Sequence, residues 1–436
     1  MTTESERTAP TAAAGRPRRS ARRAIAGRLS WGLADQAASS LSNFLVGAYV
    51  ARSLGLASFG VFSLVWVTYG VLLSVSRGLA TDPLMVRFSG VQAASWRTAV
   101  ARSSGTALCV GTATGTVCLV AGLGAGGRVG TAFACLGVTL PALLLQDAWR
   151  FSFFAAGVGR KAFVNDVVWG VALVPAMVVA ARVGGVGAFV LAWGLSAAVA
   201  AGYGCFQSGI RPHLTSARDW LGDHRDLGYR YLVENVALSG ARQLRAYGLG
   251  AIVGVDAVGT VRGAELLLGP FLAVLMGLSL ATVAEAARVL RQAPERLGVF
   301  CLMIGGGQAV GALLWGAALL VLLPERAGVF VLGVVWHSAS AIIMPAALGV
   351  AGSSLGVGAA VGLRALGAAR RSLRCQLITS VLYVSGGLCG AEAAGTVGSA
   401  WGVAAATLTG SVLWWLQLRS GLRERRKNPI REVRTA

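Results

Sequence analysis

The sequence predicts an all-α integral membrane protein: twelve transmembrane helices in two pseudo-symmetric six-helix lobes, with both termini cytoplasmic. Three observations carry this. Hydrophobic residues make up 55% of the 436 and charged residues only 13%. That is about half the ~25% of a soluble domain, too little polar surface to coat a water-soluble globule of this length. Apolar runs long enough to cross a bilayer, about 20 residues each, recur along the chain. Basic residues fall almost entirely in every second gap between those runs. A soluble enzyme, a disordered chain and a disulfide scaffold are thereby excluded. The net charge of +21 does not point to nucleic acid, because the basic residues come in short bursts instead of covering one face of a polar domain.

Taken in order, residues 1–28 hold seven Arg and no apolar core of signal-peptide length, which predicts a disordered basic cytoplasmic tail. Breaking the rest at charges and polar turns places spans near 31–52, 57–78, 99–124, 129–154, 163–182, 185–208, 231–254, 258–284, 298–323, 330–363, 373–392 and 395–418. They are too long and too uniformly apolar for barrel strands. Counted gap by gap, 32 basic residues lie on the side of the N-terminus and five on the other, with Arg242 and Arg245 inside the seventh span. The uncharged run 327–363 is too long for one helix, yet two spans would invert every later loop. One span preceded by an interfacial piece at Leu332–Trp336 keeps the charge rule, and Gly349–Gly358 predicts a bend in it. Asp82-Pro83 and Gly269-Pro270 predict helix breaks. The lobes are then 29–208 and 231–419. A cytoplasmic linker, 209–230, joins them, and its charge mix predicts an amphipathic helix on the membrane surface. Residues 420–436 form a second basic tail.

The halves repeat one another. Asp35-Gln36 and Glu234-Asn235, Ser40 and Ser239, Gly55 and Gly254, and Gly60 and Gly259 are each 199 apart. Later the offset is 211, relating Arg160 to Arg371, Gly184 to Gly395 and Gly187 to Gly398. Six spans per half is even, so both halves share one orientation. Repeats of this kind place a substrate between the lobes.

Ionisable groups at membrane depth usually face an interior or a water-filled cavity. Asp35, Ser39, Ser42 and Asn43 fall on one stripe of span 1. Span 7 carries Glu234, Arg242 and Arg245. Glu234 and Arg245 are eleven residues apart, three turns, and so point the same way. Two guanidiniums suit a pyrophosphate, whose oxygens their planar forks bind bidentately. Ser39, Asn43, Glu234 and Asn235 complete the predicted substrate site, and Asp35 or Glu234 is predicted to bind a coupling H+ or Na+. The plainer alternative is that both Arg neutralise acids on neighbouring helices and that Asp35 favours the positive end of span 1. Asp147, Arg150, Arg160, Lys161 and Asp166 are predicted to form a solvated, orienting hairpin between spans 4 and 5 with local ion pairs, the alternative being contact with an acidic lipid headgroup. The seven Cys show no CxxC spacing and read as packing residues. With no P-loop, zincin motif or nucleophile elbow, no enzyme and no cofactor is expected.

The run Ser30-Trp31-Gly32-Leu33-Ala34-Asp35-Gln36, with Ala51-Arg52-Ser53-Leu54-Gly55 and Phe59-Gly60, resembles the opening of polysaccharide flippases of the multidrug/oligosaccharidyl-lipid/polysaccharide exporter superfamily. Gln146-Asp147-x-x-Arg150, Asn165-Asp166-x-x-Trp169, Gly395-x-x-Gly398 and Trp401-Gly402 look like its actinobacterial branch. The resemblance covers about 30–420. It implies two lobes forming a V, alternating access by their rocking, and a bacterial cytoplasmic-membrane location. The implied substrate is an undecaprenyl-pyrophosphate-linked oligosaccharide moved to the outer leaflet during cell-surface polysaccharide biosynthesis. Implied partners are membrane lipids and the pathway's glycosyltransferases or polymerase. Cavity Arg residues that hold a pyrophosphate would correspond to Arg242 and Arg245, and a cation-binding Asp to Asp35. Many such flippases have 14 spans, and this chain has room for 12. That keeps open a cation-coupled multidrug antiporter, and, outside transport, a scaffold of a glycan-assembly complex.

Overall fold

A computed structural model describes residues 40–88 and 93–427, with the side chains of 93, 226, 227, 229–231, 233–239, 273–281, 283, 284, 287, 369, 426 and 427 outside the description. The predicted N-terminal tail lies outside it too. Among the described residues every regular element is helical. In chain order these are α1 (40–53), α2 (Leu56–Ser76), a π-helical turn (Arg77–Thr81), α3 (Asp82–Phe88), α4 (Ala93–Ala125), α5 (Gly127–Ala155), α6 (Gly159–Val183) and α7 (Val186–Ser208). They continue with α8 (Ala217–Asp223), α9 (Arg225–Ile252), α10 (Val255–Gln292), α11 (Leu297–Val321), α12 (Glu325–Leu332), α13 (Val335–Ser340), α14 (Ile343–Ala365) and α15 (Ala369–Lys427). Backbone at Ala394 and Gly395 is non-helical, so α15 is two arms joined at a kink. Among the described residues eight helices are long and apolar enough to cross a membrane. Many carry exposed large apolar residues, such as Val117, Val120 and Leu123 on α4. That is the surface lipid accepts and water does not.

Helices outrun the apolar runs at their charged ends. Span 2, read as ending near 78, continues through the π-turn to Phe88, and α15 runs through the predicted second tail to Lys427. Hydropathy marks where the hydrocarbon stops. Backbone hydrogen bonding has no reason to stop there, because the headgroup layer and water satisfy charged side chains equally well.

Neither proline ends its helix. Pro83 has no N–H to give the Leu79 carbonyl. The Trp220 indole N–H takes that place, at 3.2 Å, and the strain relaxes into the π-turn one turn earlier. At Pro270 the helix continues, and the Trp315 indole donates to the Leu267 carbonyl at 3.0 Å. Gly349–Gly358 does not bend α14 either. Its glycines let helices touch backbone to backbone: a β-carbon at Gly352 would lie 2.8 Å from the Leu408 amide, and one at Gly358 would collide with the Cys301 carbonyl. The linker is also less independent than its charges predicted. Helix α8 is seven residues long, and Trp220 buries completely against the N-terminal half, stacked on His224.

The repeat has a geometric expression. Gly60 and Gly259 meet: a β-carbon on Gly60 would strike the Val255 carbonyl, and one on Gly259 would lie 2.8 Å from the Leu56 carbonyl. Leu56 and Val255 are also 199 apart, so the contact is reciprocal under exchange of halves. At the α5–α6 and α14–α15 hairpins the offset is 210. Gly157 and Gly367 take φ of 71° and 70°, and the turn bonds Lys161 N–H to Val158 O and Arg371 N–H to Ala368 O correspond. Lys161 is thus the mate of Arg371, a one-residue correction to the sequence alignment. The residues without counterpart are the short helices α12 and α13, where the N-terminal half turns directly from α4 to α5.

Candidate functional site

Buried charge gathers in two places, one in each half. In the C-terminal half the centre is Arg245 on α9, 6% exposed. Its Nη2 lies 3.6 Å from Glu265 Oε1 on α10, and its guanidinium carbon lies 5.2 Å from the Tyr383 ring centre on α15. Gly387 leaves room for its stem, since a β-carbon there would be 2.8 Å from Arg245 Cδ. Among the described residues Arg245 Nε has no hydrogen-bond partner. Glu265 receives a second cation, Arg262, at 3.3 Å. Arg262 in turn lies 5.3 Å over Trp66 of α2, which stacks on Trp193 of α7. Two guanidiniums thus share one carboxylate that is 46% exposed on its side chain. The cluster carries net positive charge where the two halves meet, one turn beyond the Gly60–Gly259 crossing.

Of the predicted site residues, Asp35 and Ser39 lie outside the described residues. Asn43 is exposed on α1. Glu234 and Asn235 sit on α9, with side chains outside the description. Arg242 is exposed on α9 while Arg245 is buried, so the predicted pair divides between two environments. Arg262 was counted as an outer-loop charge. The available signal was that Arg262 and Glu265 stand within the predicted eighth span, three residues apart on one helical face.

In the N-terminal half the predicted hairpin is solvated at Arg160 and Lys161, which are exposed, and has the local ion pair Arg150–Asp166, but its acids belong to a buried network. Asp147 is 4% exposed and Asp166 8%. Arg77, on the π-turn, grips Asp147 bidentately, Nε to Oδ2 at 2.9 Å and Nη2 to Oδ1 at 2.6 Å, and lies over Phe151. Arg150 pairs with Asp166 at 3.1 Å. Gln146 donates to Asn165 Oδ1 and Asp166 Oδ1, and Asn165 donates to the Ala200 carbonyl. The error came from reading these charges as loop although 147 and 166 lay inside predicted spans 4 and 5. Each acid here has its own cation, so the group is closed, unlike the shared carboxylate of Glu265.

The halves are also tied near the crossing. Arg52 Nη1 donates to the Phe330 carbonyl at 3.0 Å and covers its ring at 4.6 Å. Thr68 of α2 and Tyr247 of α9 share a hydrogen bond. An apolar groove of about 950 Å3 at one end of α5, α6 and α7, lined by Thr131, Pro175, Val183 and Leu195 among others, lies away from all these charges.

No family model matches the sequence, and no curated protein matches it. Solved structures do share its fold. An inward-facing multidrug resistance MATE family transporter of the MOP superfamily aligns with a TM-score of 0.76 at 15% identity, over 89% of this chain and 96% of that one. Lipid II flippase MurJ in an inward closed conformation gives 0.68 at 8% identity, over 90% and 89%. An outward-facing MATE family transporter gives 0.57 at 15% identity, over 93% and 96%. The chain therefore has the fold of MOP-superfamily membrane transporters, a multi-pass helical membrane protein.

Proposed function

We propose that this protein is an alternating-access flippase of twelve spans in two lobes, with both termini in the cytoplasm of a bacterial cell. It moves an undecaprenyl-pyrophosphate-linked oligosaccharide from the cytoplasmic to the outer leaflet during cell-surface polysaccharide synthesis, fed by the pathway's glycosyltransferases. The observation that carries this reading is the pair Arg245 and Arg262 sharing Glu265 at the junction of the halves. A net-positive, partly exposed cluster is a receptor for an anionic head, and a pyrophosphate would compete with Glu265 for both guanidiniums. Arg242 extends the site along α9. Asn43, Ser39, Glu234 and Asn235 would contact sugar hydroxyls, and Asp35 or Glu234 would carry a coupling cation. The higher TM-score against the inward-facing MATE family transporter, 0.76, than against the outward-facing one, 0.57, with the Gly60–Gly259 crossing and the Arg52–Phe330 tie, supports a state sealed on the outer side and open to the cytoplasm.

A cation-coupled drug antiporter is the second reading. It is favoured by the half-buried Trp66, whose face already takes one cation, Arg262, at 5.3 Å, as an organic cation would be held, although its neighbours Trp193 and Tyr69 are buried. Proteoliposomes decide between the two. With a fluorescent undecaprenyl-pyrophosphate glycan, the protein should expose the inner-leaflet half of the label to an external quencher. It should drive no dye export under a proton or sodium gradient. Dye transport without glycan-lipid flipping would overturn the flippase reading.

A further inference from the structure

A second basic site stands outside the transport path. The segment 209–216 straps the charged end of α4. His213 N–H donates to the Ala101 carbonyl at 2.8 Å, and Gly105 admits the His213 backbone, which a β-carbon would strike. Between strap and helix lies a cleft of about 380 Å3 lined by Arg97, Thr98, Arg102, Arg211, His213 and Ser216 among others. Its cations are positioned by the protein. Arg97 Nη2 donates to the Gly209 carbonyl at 2.7 Å. Arg102 Nη2 pairs with Asp223 at 2.7 Å and faces Trp220. The His213 ring bonds Ser216. Arg211 makes no hydrogen bond or ion pair among the described residues. Three guanidiniums therefore line the cleft and one of them, that of Arg102, is paired with a carboxylate, while Arg97 uses one of its five N–H donors on the strap.

We infer that this cleft binds the phosphate headgroup of an anionic phospholipid of the cytoplasmic leaflet. Position selects the ligand. Helix α4 has 33 residues, about 50 Å at 1.5 Å per residue, against ~30 Å of hydrocarbon. The end that carries Arg97 and Arg102 thus rises into the headgroup layer. One leaflet reaches about 15 Å, ten residues of helix, beyond Arg102, where Leu108, Cys109 and Val110 are half-buried and Thr112 is exposed. A phosphodiester with two tails fits such a boundary, with its oxygens in the guanidinium forks and its chains along α4. The strap begins the connection between the halves, so an occupied cleft would hold that connection to the N-terminal half. This inference rests on membrane orientation and not on the transported substrate.

Native mass spectrometry of the detergent-purified full chain tests it with phosphatidylglycerol, phosphatidylcholine and inorganic phosphate as probes. The wild type should retain one phosphatidylglycerol at least about tenfold more tightly than phosphatidylcholine. Arg211→Gln, which breaks no bond in the described structure, should lose most of that preference, and Arg97→Gln/Arg211→Gln all of it, while Arg97→Lys keeps part. Arg370→Gln/Arg374→Gln, two charges removed from the other half, should leave it intact. Equal loss in both double variants would reduce the effect to overall charge and overturn the site. Retention of inorganic phosphate without any lipid preference would overturn the lipid assignment. Unfolding midpoints without lipid, unchanged in Arg211→Gln, separate lost binding from lost folding.

Discussion

The two halves share a backbone plan and use charge in opposite ways. In the N-terminal half Arg77 and Asp147, and Arg150 and Asp166, neutralise one another among buried helices. At the 210 offset the C-terminal half has Val357 for Asp147, Ala360 for Arg150 and Gln376 for Asp166. Glycines let helices touch in both halves, at Gly115 and Gly137 in the first and at Gly305, Gly352 and Gly358 in the second, so the difference lies in the charges. The C-terminal half keeps its buried cation at Arg245, near the other half, where Glu265 is shared and half exposed. Closed ion pairs fasten a structure, whereas a cation with donors left over can meet a ligand. On the proposed function, the N-terminal charges would fasten the structure and the C-terminal ones would meet the ligand.

The comparison can be broken by mutation, beginning with the largest effect. Arg242→Ala with Arg245→Ala should abolish flipping in proteoliposomes while the protein still purifies as a folded species. Adding Glu265→Gln to Arg245→Ala, which leaves Arg262 without its carboxylate, should lower thermal stability further and should not restore transport. Recovery of transport would make Arg245 a mere counter-ion. Asp147→Ala should cost about 3–5 kcal/mol, the usual result of stranding a buried cation, read as a large fall in unfolding midpoint, whereas Val357→Ala should do far less. If Arg77→Met/Asp147→Leu is stable but inactive, the N-terminal pair is functional after all. Gly60→Val should cost about 1–3 kcal/mol through overpacking against the Val255 carbonyl. It should also raise labelling of a cysteine placed near the crossing from the outer side, and Gly259→Val should do the same if the contact is reciprocal. Arg52→Ala is the smallest change. An exposed tie of this kind is worth up to about 1 kcal/mol, so it should shift the accessibility of that reporter modestly and leave the unfolding midpoint nearly unchanged.

What the sequence made legible was the part governed by solvent. Long apolar runs must be helices because lipid offers no partner to a backbone N–H or C=O, and the asymmetry of Arg between gaps orients them. The recurrence of Gly60 at Gly259 was also visible. That the two residues pack on each other was not, because a glycine's value lies in the neighbour it admits. The mistaken readings share one cause. Asp147 and Asp166 were taken as solvated, Arg262 as a loop charge, and Pro83 as a helix end. A charge or a proline in one dimension announces a cost; its relief comes from Arg77, 70 positions from Asp147, from the Trp220 indole, 141 positions from Leu79, or from Glu265 on the next turn after Arg262. The sequence by itself therefore determined that the long apolar stretches are helical, and it predicts, through its Arg asymmetry, which side of the membrane each end should meet. Only the tertiary structure decided which charges cancel and which remain available, because that depends on distances of a few ångströms between helices whose order along the chain does not fix their neighbours.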